Sequence, residues 1–221
     1  ASALAAFYER AGRVTTTGGR QGSVTVIGAV SPPGGDLTEP VTTHTQRFAR
    51  SLWTLDRGLA YARHYPAVSW ADSFARDAEA VAAWHAGHGD PGWAQRRARI
   101  NGLLAEADRL GALVELVGAA ALPARERVVL LGGRLLREAV LQQSALSPVD
   151  AFSPAGRTAA LAGAVLDVVD ACQALADRGV PAAVIEEQDF SPLLRAREEA
   201  GDAAEVAARR DAMLTCLGAL P

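Results

Sequence analysis

Four histidines, two cysteines and 25 carboxylates are the groups with which this 221-residue chain could do chemistry, beside 22 basic side chains that are all arginine. His85 and His88 stand three apart with Asp90 close by. That is a zinc-like spacing, but it runs into the loop Gly87–Gly92 and no second cluster completes a shell, so a solvated loop is expected. Cys172 and Cys216 are too far apart in sequence to suggest a metal site or a disulfide framework, and they fit a reduced cytoplasmic setting. No Gly-x-Ser-x-Gly elbow is present, which removes the usual serine nucleophile. Without a lysine there is no Gly-x-x-x-x-Gly-Lys-Ser/Thr phosphate loop, and Gly18-Gly19 and Gly34-Gly35 read as turn glycines. Arg96, Arg97 and Arg99 lack interleaved aromatics and read as a solvated helix face, and Glu186-Glu187-Gln188-Asp189 reads as surface. No catalytic and no metal-binding residue is expected.

Two stretches keep a binding chemistry. Gly22–Pro40 begins with the apolar, β-branched run Ser23–Val30, which suits a strand buried on both faces. Ser31-Pro32-Pro33-Gly34-Gly35 then ends regular structure, because the prolines remove donors and the glycines admit positive φ. Asp36, Thr38 and Glu39 make the resulting loop acidic. The second stretch is His64–Trp70, where Pro66 pushes Tyr65 out of the helical region and leaves an ordered extended segment with a planar side chain. Such a side chain either stacks on a flat ligand or packs at a domain seam.

The elements that must position these groups follow from periodicity. Residues 1–11 read as a helix already under way, ended by Gly12, and Thr15–Gly22 as a flexible link. Thr42 is placed to cap a helix whose stripe is Phe48, Leu52, Leu55, Leu59 and Ala62. Helices are expected over Ala78–His85, along Leu103, Ala107, Leu110, Val114 and Val117, and from Pro123 through Val128, Leu131 and Leu135. Gly132 and Gly133 weaken the last of these, by about 1 kcal/mol each relative to alanine. Ser144–Pro154 is a broken connection. A further helix runs through Leu161, Val165, Val169, Cys172 and Ala176 to Gly179, and the tail Leu193–Leu217 is helical. The expectation is an α/β edge over residues 1–75 and a helical bundle over 76–221. Apolar content of 49% argues for a folded chain, and a net charge of −3 gives no electrostatic case for nucleic acid or anionic membrane. No apolar run reads as a membrane span.

Phe7-Tyr8-Glu9-Arg10-Ala11-Gly12-Arg13, Gly22–Pro40 with its Ser-Pro-Pro-Gly-Gly-Asp, and His64-Tyr65-Pro66-Ala67-Val68-Ser69-Trp70 resemble, in order and spacing, the catalytic A subunit of V-type and A-type rotary ATPases. The resemblance implies the C-terminal part of that subunit: the α/β edge of a P-loop-type ATPase core followed by a mostly α-helical bundle. It implies that the phosphate loop and the catalytic glutamate lie outside the matching region, so this chain alone should not turn over ATP. It gives the chain part of an adenine pocket, with Tyr65 held by Pro66 as one wall. Leu141-Gln142-Gln143-Ser144-Ala145-Leu146-Ser147-Pro148-Val149-Asp150 resembles the family's Leu-Gln-Gln-Asn-Ala-Phe-x-x-Val-Asp and would supply Leu146 as the other wall, with leucine in place of the aromatic. Gly35, Asp36, Leu37, Thr38 and Glu39 match a loop that touches the central stalk or a neighbouring subunit. Leu122-Pro123-Ala124-Arg125-Glu126-Arg127 corresponds to an acidic lever segment but here carries two arginines. The implied ligand is Mg-ATP or ADP in the intact protein, and the implied partners are the central stalk and the B subunit. The implied place is cytoplasmic, peripheral to the membrane, with ATP hydrolysis or synthesis coupled to proton or sodium movement. The alternative is a truncated or degenerate paralogue acting as a non-catalytic binding or assembly module. An unrelated helical scaffold is the third reading, and lack of a parallel strand at Ser23–Val30 would favour it.

Overall fold

Alanine, leucine and valine dominate Ala155–Asp177, and this 23-residue stretch forms the helix on which the larger part of the chain is built. In the computed structural model, which describes residues 2–221, contacts divide the chain into two compact units. One comprises the residues up to Thr54 with Ser73–Asp77, and the other Leu55–Asp72 with Ala78–Pro221. Ala1, where the first expected helix begins, lies outside the described residues.

The first unit holds α1 (Ser2–Tyr8), β1 (Gly12–Thr15), β2 (Gln21–Val24), α2 (Pro40–Phe48), β3 (Ser51–Leu52) and β4 (Phe74–Ala75). Thr15–Gly22, expected as a link, is instead the tip of a hairpin: β1 and β2 pair antiparallel with Gly12 opposite Val24. Gly19, at φ +76, makes its turn. The buried strand expected over Ser23–Val30 does not form. The ladder stops at Val24, and Ile27 is 86% exposed. A strand buried on both faces needs ladder partners at its edges, and no strand among the described residues pairs with 25–30. The long helix expected from Thr42 to Ala62 is also broken. Ala49 turns extended, and β3 pairs antiparallel with β4. Arg76 fixes that crossing by donating to the Arg47 and Gln46 carbonyls, at 3.1 and 3.0 Å.

The second unit is helical: α3 (Arg57–Tyr61), α4 (Ala78–Gly87), α5 (Trp93–Val117), α6 (Ala124–Leu136), α7 (Pro148–Ala151), α8 (Ala155–Asp177), α9 (Ala182–Glu186), α10 (Ser191–Glu199) and α11 (Ala203–Gly218). The apolar stripes read from the sequence meet here in part. Of the α5 stripe Ala107 and Leu110 are buried, Leu103 and Val114 are half-buried and Val117 is 54% exposed, while Leu104, outside that stripe, is buried. Val128, Leu131 and Leu135 of α6, and Leu161, Val165, Val169 and Cys172 of α8 are buried. Val206, Met213 and Leu217 of α11 close the core. The glycines of α6 have a packing role. A Cβ on Gly133 would lie 2.5 Å from that of Ala107, and one on Gly132 would lie 3.0 Å from Val169. The α5–α6 approach is therefore closer than alanine allows, and the α6–α8 approach is tight. By length and composition alone α8 could cross a membrane, contrary to expectation, yet half of that stretch is buried among its neighbours as a core helix. The fold is mostly helical with a small sheet region.

Candidate functional site

Residues 55–72 form a closed arch in the second unit. Asp56 starts it by accepting from the Leu59 amide at 2.8 Å, the N-cap of α3. Helix α3 ends on Arg63 in the left-handed region, at φ 57, with the His64 amide returning to the Leu59 carbonyl at 2.9 Å. The legs are closed by the Asp56 amide on the Ala67 carbonyl at 2.9 Å and by an antiparallel bridge from Leu55 to Val68. Tyr65 and Pro66, joined by a cis peptide bond, sit at the tip.

Trp70 anchors the arch to the bundle. Its indole N–H donates to Asp108 of α5 at 2.9 Å, and the Arg137 guanidinium lies 4.9 Å from its ring centre. Arg137 is also paired with Asp108. The His64 ring meets Trp70 edge-on at 6.0 Å. Burial, and then the positive charges of Arg137 and Arg197, hold the His64 pKa below the usual imidazole value.

The opposite side begins where α6 widens into a π turn over Arg137–Leu141. The chain leaves this turn extended at Gln142, and the Gln143 amide donates to the Tyr65 carbonyl at 2.7 Å. The arch tip and the Gln142–Leu146 segment are thus tied backbone to backbone. Tyr65 is 54% and Leu146 95% exposed, so both have free apolar surface. Beyond Leu146, Asp150 is 3% exposed. Its Oδ2 accepts from the Ser144 amide at 2.5 Å and from the Arg197 guanidinium at 2.8 Å. Arg197 stands on α10, whose C-terminal carbonyls are met by buried Arg157 of α8. The Arg157 guanidinium donates to Ala200 at 2.7 Å, to Ala196 at 3.3 Å and to Arg197. Sequence reasoning misses both Arg197 and Arg157. It reaches Asp150 only as the last residue of a motif, although Ser147-Pro148-Val149-Asp150 carries the spacing of a helix start, and Ser147 does accept from the Asp150 amide at 3.4 Å.

In the first unit, Gly34 and Gly35 take positive φ at 66° and 80° around a single 3-10 turn. Asp36 accepts from the Thr38 hydroxyl and amide at 2.6 and 2.9 Å. Glu39, rather than Thr42, caps α2, by accepting from the Val41 amide at 3.0 Å and the Thr42 amide at 2.5 Å. The Thr38 and Thr42 hydroxyls, helped by these amides, keep both carboxyls below the usual range. Leu37 is 45% exposed between them.

The remaining candidates are engaged in structural contacts. His85 stacks on Trp93 and His88 on Trp84, and Asp90 pairs with Arg96 at 2.5 Å. No metal-binding group of three or more His, Cys, Asp or Glu occurs among the described residues. Arg99 pairs with Asp170, and Arg97 lies 5.8 Å from the Trp93 ring centre. Arg125 reaches Asp177 at 3.0 Å and Arg127 pairs with Glu186, so Glu186 holds α6 and is not simply surface. Burial pushes the Cys172 thiol up to about 11.

Comparison with known proteins matches residues 1–75 to the nucleotide-binding domain of the ATP synthase alpha/beta family. It matches residues 82–177 to the C-terminal domain of V and A type ATP synthase. The V-type ATP synthase alpha chain of Nitrosococcus oceani is 51% identical over 181 residues, which cover 82% of this chain and 31% of that protein. The A subunit of the A-type ATP synthase of Ignicoccus hospitalis is 41% identical over 202 residues, covering 89% of this chain and 34% of that protein. Its counterpart in Pyrococcus horikoshii is 45% identical over 183 residues, covering 82% and 19%. The chain spans about a third or less of the length of these curated relatives.

Proposed function

This chain belongs to the V- and A-type ATP synthase alpha (A) subunit family, and we propose that it is the C-terminal part of a catalytic subunit in which it holds the adenine without performing the chemistry. The carrying observation is the 2.7 Å bond from the Gln143 amide to the Tyr65 carbonyl, which joins the two segments expected to flank the base. Tyr65, braced by Pro66, offers a ring face, and Leu146 offers an apolar cover. We place the end of the nucleotide-binding portion at residue 75 and assign 76–221 to the helical domain. Mg-ATP or ADP is the ligand of the intact protein. In the assembled enzyme the whole polypeptide alternates with B subunits around a central stalk in the cytoplasmic sector and couples ATP turnover to proton or sodium movement. Gly35, Asp36, Leu37, Thr38 and Glu39 form the contact to the stalk or a neighbouring subunit. The acids are held by Thr38 and Thr42, and Leu37, 45% exposed, offers apolar surface for that contact.

One substitution favours a second reading. Leucine at 146 forgoes the aromatic contact with a base, as expected of a paralogue that only binds or assembles. Mass and peptide coverage of the native polypeptide in its source cells separate the two. A longer product containing Gly-x-x-x-x-Gly-Lys-Ser/Thr is expected. A native product of this size would contradict the catalytic-subunit reading and leave the binding module.

A further inference from the structure

Asp150 joins the Ser144 backbone to α10, which also packs against α7 and the π turn Arg137–Leu141. Its Oδ2 takes the Ser144 amide on one side and the Arg197 guanidinium on the other, at 2.5 and 2.8 Å. The Arg197 side chain is 11% and the Asp150 side chain 2% exposed, so the pair is hardly screened by solvent. Arg197 also reaches Glu198 at 2.5 Å. Its own helix end is fixed by Arg157, which is 3% exposed and spends its donors on the carbonyls of Ala196, Arg197 and Ala200 and on the Ser153 hydroxyl. A buried chain of contacts thus runs from α8 through α10 to the backbone of Ser144. One residue further back the Gln143 amide holds Tyr65. Two residues further on, Leu146 stands in solvent with no packing of its own to place it.

We propose that the buried Asp150–Arg197 pair is the positioning element of the Tyr65 site, fixing the Gln143–Leu146 segment opposite Tyr65 so that α10 sets the gap that receives the base. This rests on the adenine reading of Tyr65 and Leu146. Neither residue of the pair touches the nucleotide. Each acts through the Ser144 amide, which a carboxylate holds more strongly than a neutral acceptor would. A buried ion pair is a costly way to gain stability but an effective way to select one geometry, which is what a gap of fixed width requires.

The test uses the assembled ATPase with its full-length catalytic subunit, unsubstituted and carrying Asp150→Asn or Arg197→Lys. Hydrogen exchange is followed at the Gln143, Ser144 and Leu146 amides, and ATP is titrated in parallel. Both variants are expected to exchange at Gln143 and Ser144 about tenfold or more faster, as loss of a charged hydrogen bond implies. The core amides of Leu104, Val128 and Val165 keep their protection, and ATP affinity falls by a similar factor. If Asp150→Asn unfolds the chain, Arg197→Lys carries the test, since it keeps the charge and loses the forked geometry. Unchanged exchange at Gln143 and Ser144 with intact ATP binding would overturn the positioning role alone. Absence of ATP-induced protection at Tyr65 and across Gln142–Leu146 in the unsubstituted enzyme would overturn the adenine reading and the positioning role with it.

Discussion

Tyr65 is half exposed while its carbonyl is held, which is how a ring is presented without being free to wander. Replacing Tyr65 with alanine is expected to weaken adenine nucleotide binding by about 1–3 kcal/mol, the usual worth of a base on an aromatic ring. Leu146→Phe should tighten it by about 1 kcal/mol, both read by titration with ATP. Thiol chemistry is split just as sharply. Cys216 is exposed, whereas Cys172 is buried with its thiol pushed up to about 11. A thiol reagent at neutral pH should therefore modify Cys216 alone in the folded chain and both cysteines in denaturant. His64 gives a pH dependence of defined sign. Its folded pKa is depressed, so the unfolded chain binds the proton more readily. The stability it contributes is fully present above about pH 6.5 and is lost as pH falls through the lower folded value. Denaturant midpoints from pH 7 to 5 should fall less steeply in a His64→Gln variant. At this scale proline and glycine mark the Tyr65 segment and the acidic loop in the sequence, whereas the base-stacking reading of Tyr65 comes from the family resemblance. The sequence is silent on Arg197 and Arg157, because the partner of an arginine 40 or more residues away in the chain leaves no local pattern.

Among the elements, periodic helices are legible and junctions are not. The stripes of α6 and α8 and the middle of the α5 stripe meet in the core, because burial of one face is what selects those residues, whereas Val117 at the end of the α5 stripe is exposed. The run Phe48, Leu52, Leu55 and Leu59 has the same spacing but is cut by the β3–β4 pairing, since Arg76 and Asp77 hold residues 46–50 from far along the chain. Ser23–Val30 fails for the opposite reason: its composition suits a sheet interior, but no strand among the described residues pairs with 25–30. Gly133 reads in the sequence as a weak point of α6, whereas its missing Cβ is what admits Ala107. Gly133→Ala should therefore destabilise the bundle by about 1–3 kcal/mol despite the better helix propensity. Gly102→Ala on α5, with nothing within 4 Å of the added Cβ, should be neutral or stabilising by up to about 1 kcal/mol. Thermal or denaturant melting of the two variants checks the contrast.

For the whole molecule, the family rests on matches across both parts of the chain, although the strand that would have argued against an unrelated scaffold is missing. A chain with no lysine has no phosphate loop, and an ATPase assay on these 221 residues should show no turnover above buffer. The central claim is that this part of the catalytic polypeptide holds the base between Tyr65 and Leu146. It is tested most directly by photolabelling the assembled ATPase from the source cells with 2-azido-ATP and mapping the adducts. The account predicts label on Tyr65 or within Gln142–Leu146, displaced by excess ATP. ATP-protected label found elsewhere in the complex, with these two segments unmodified, would contradict it.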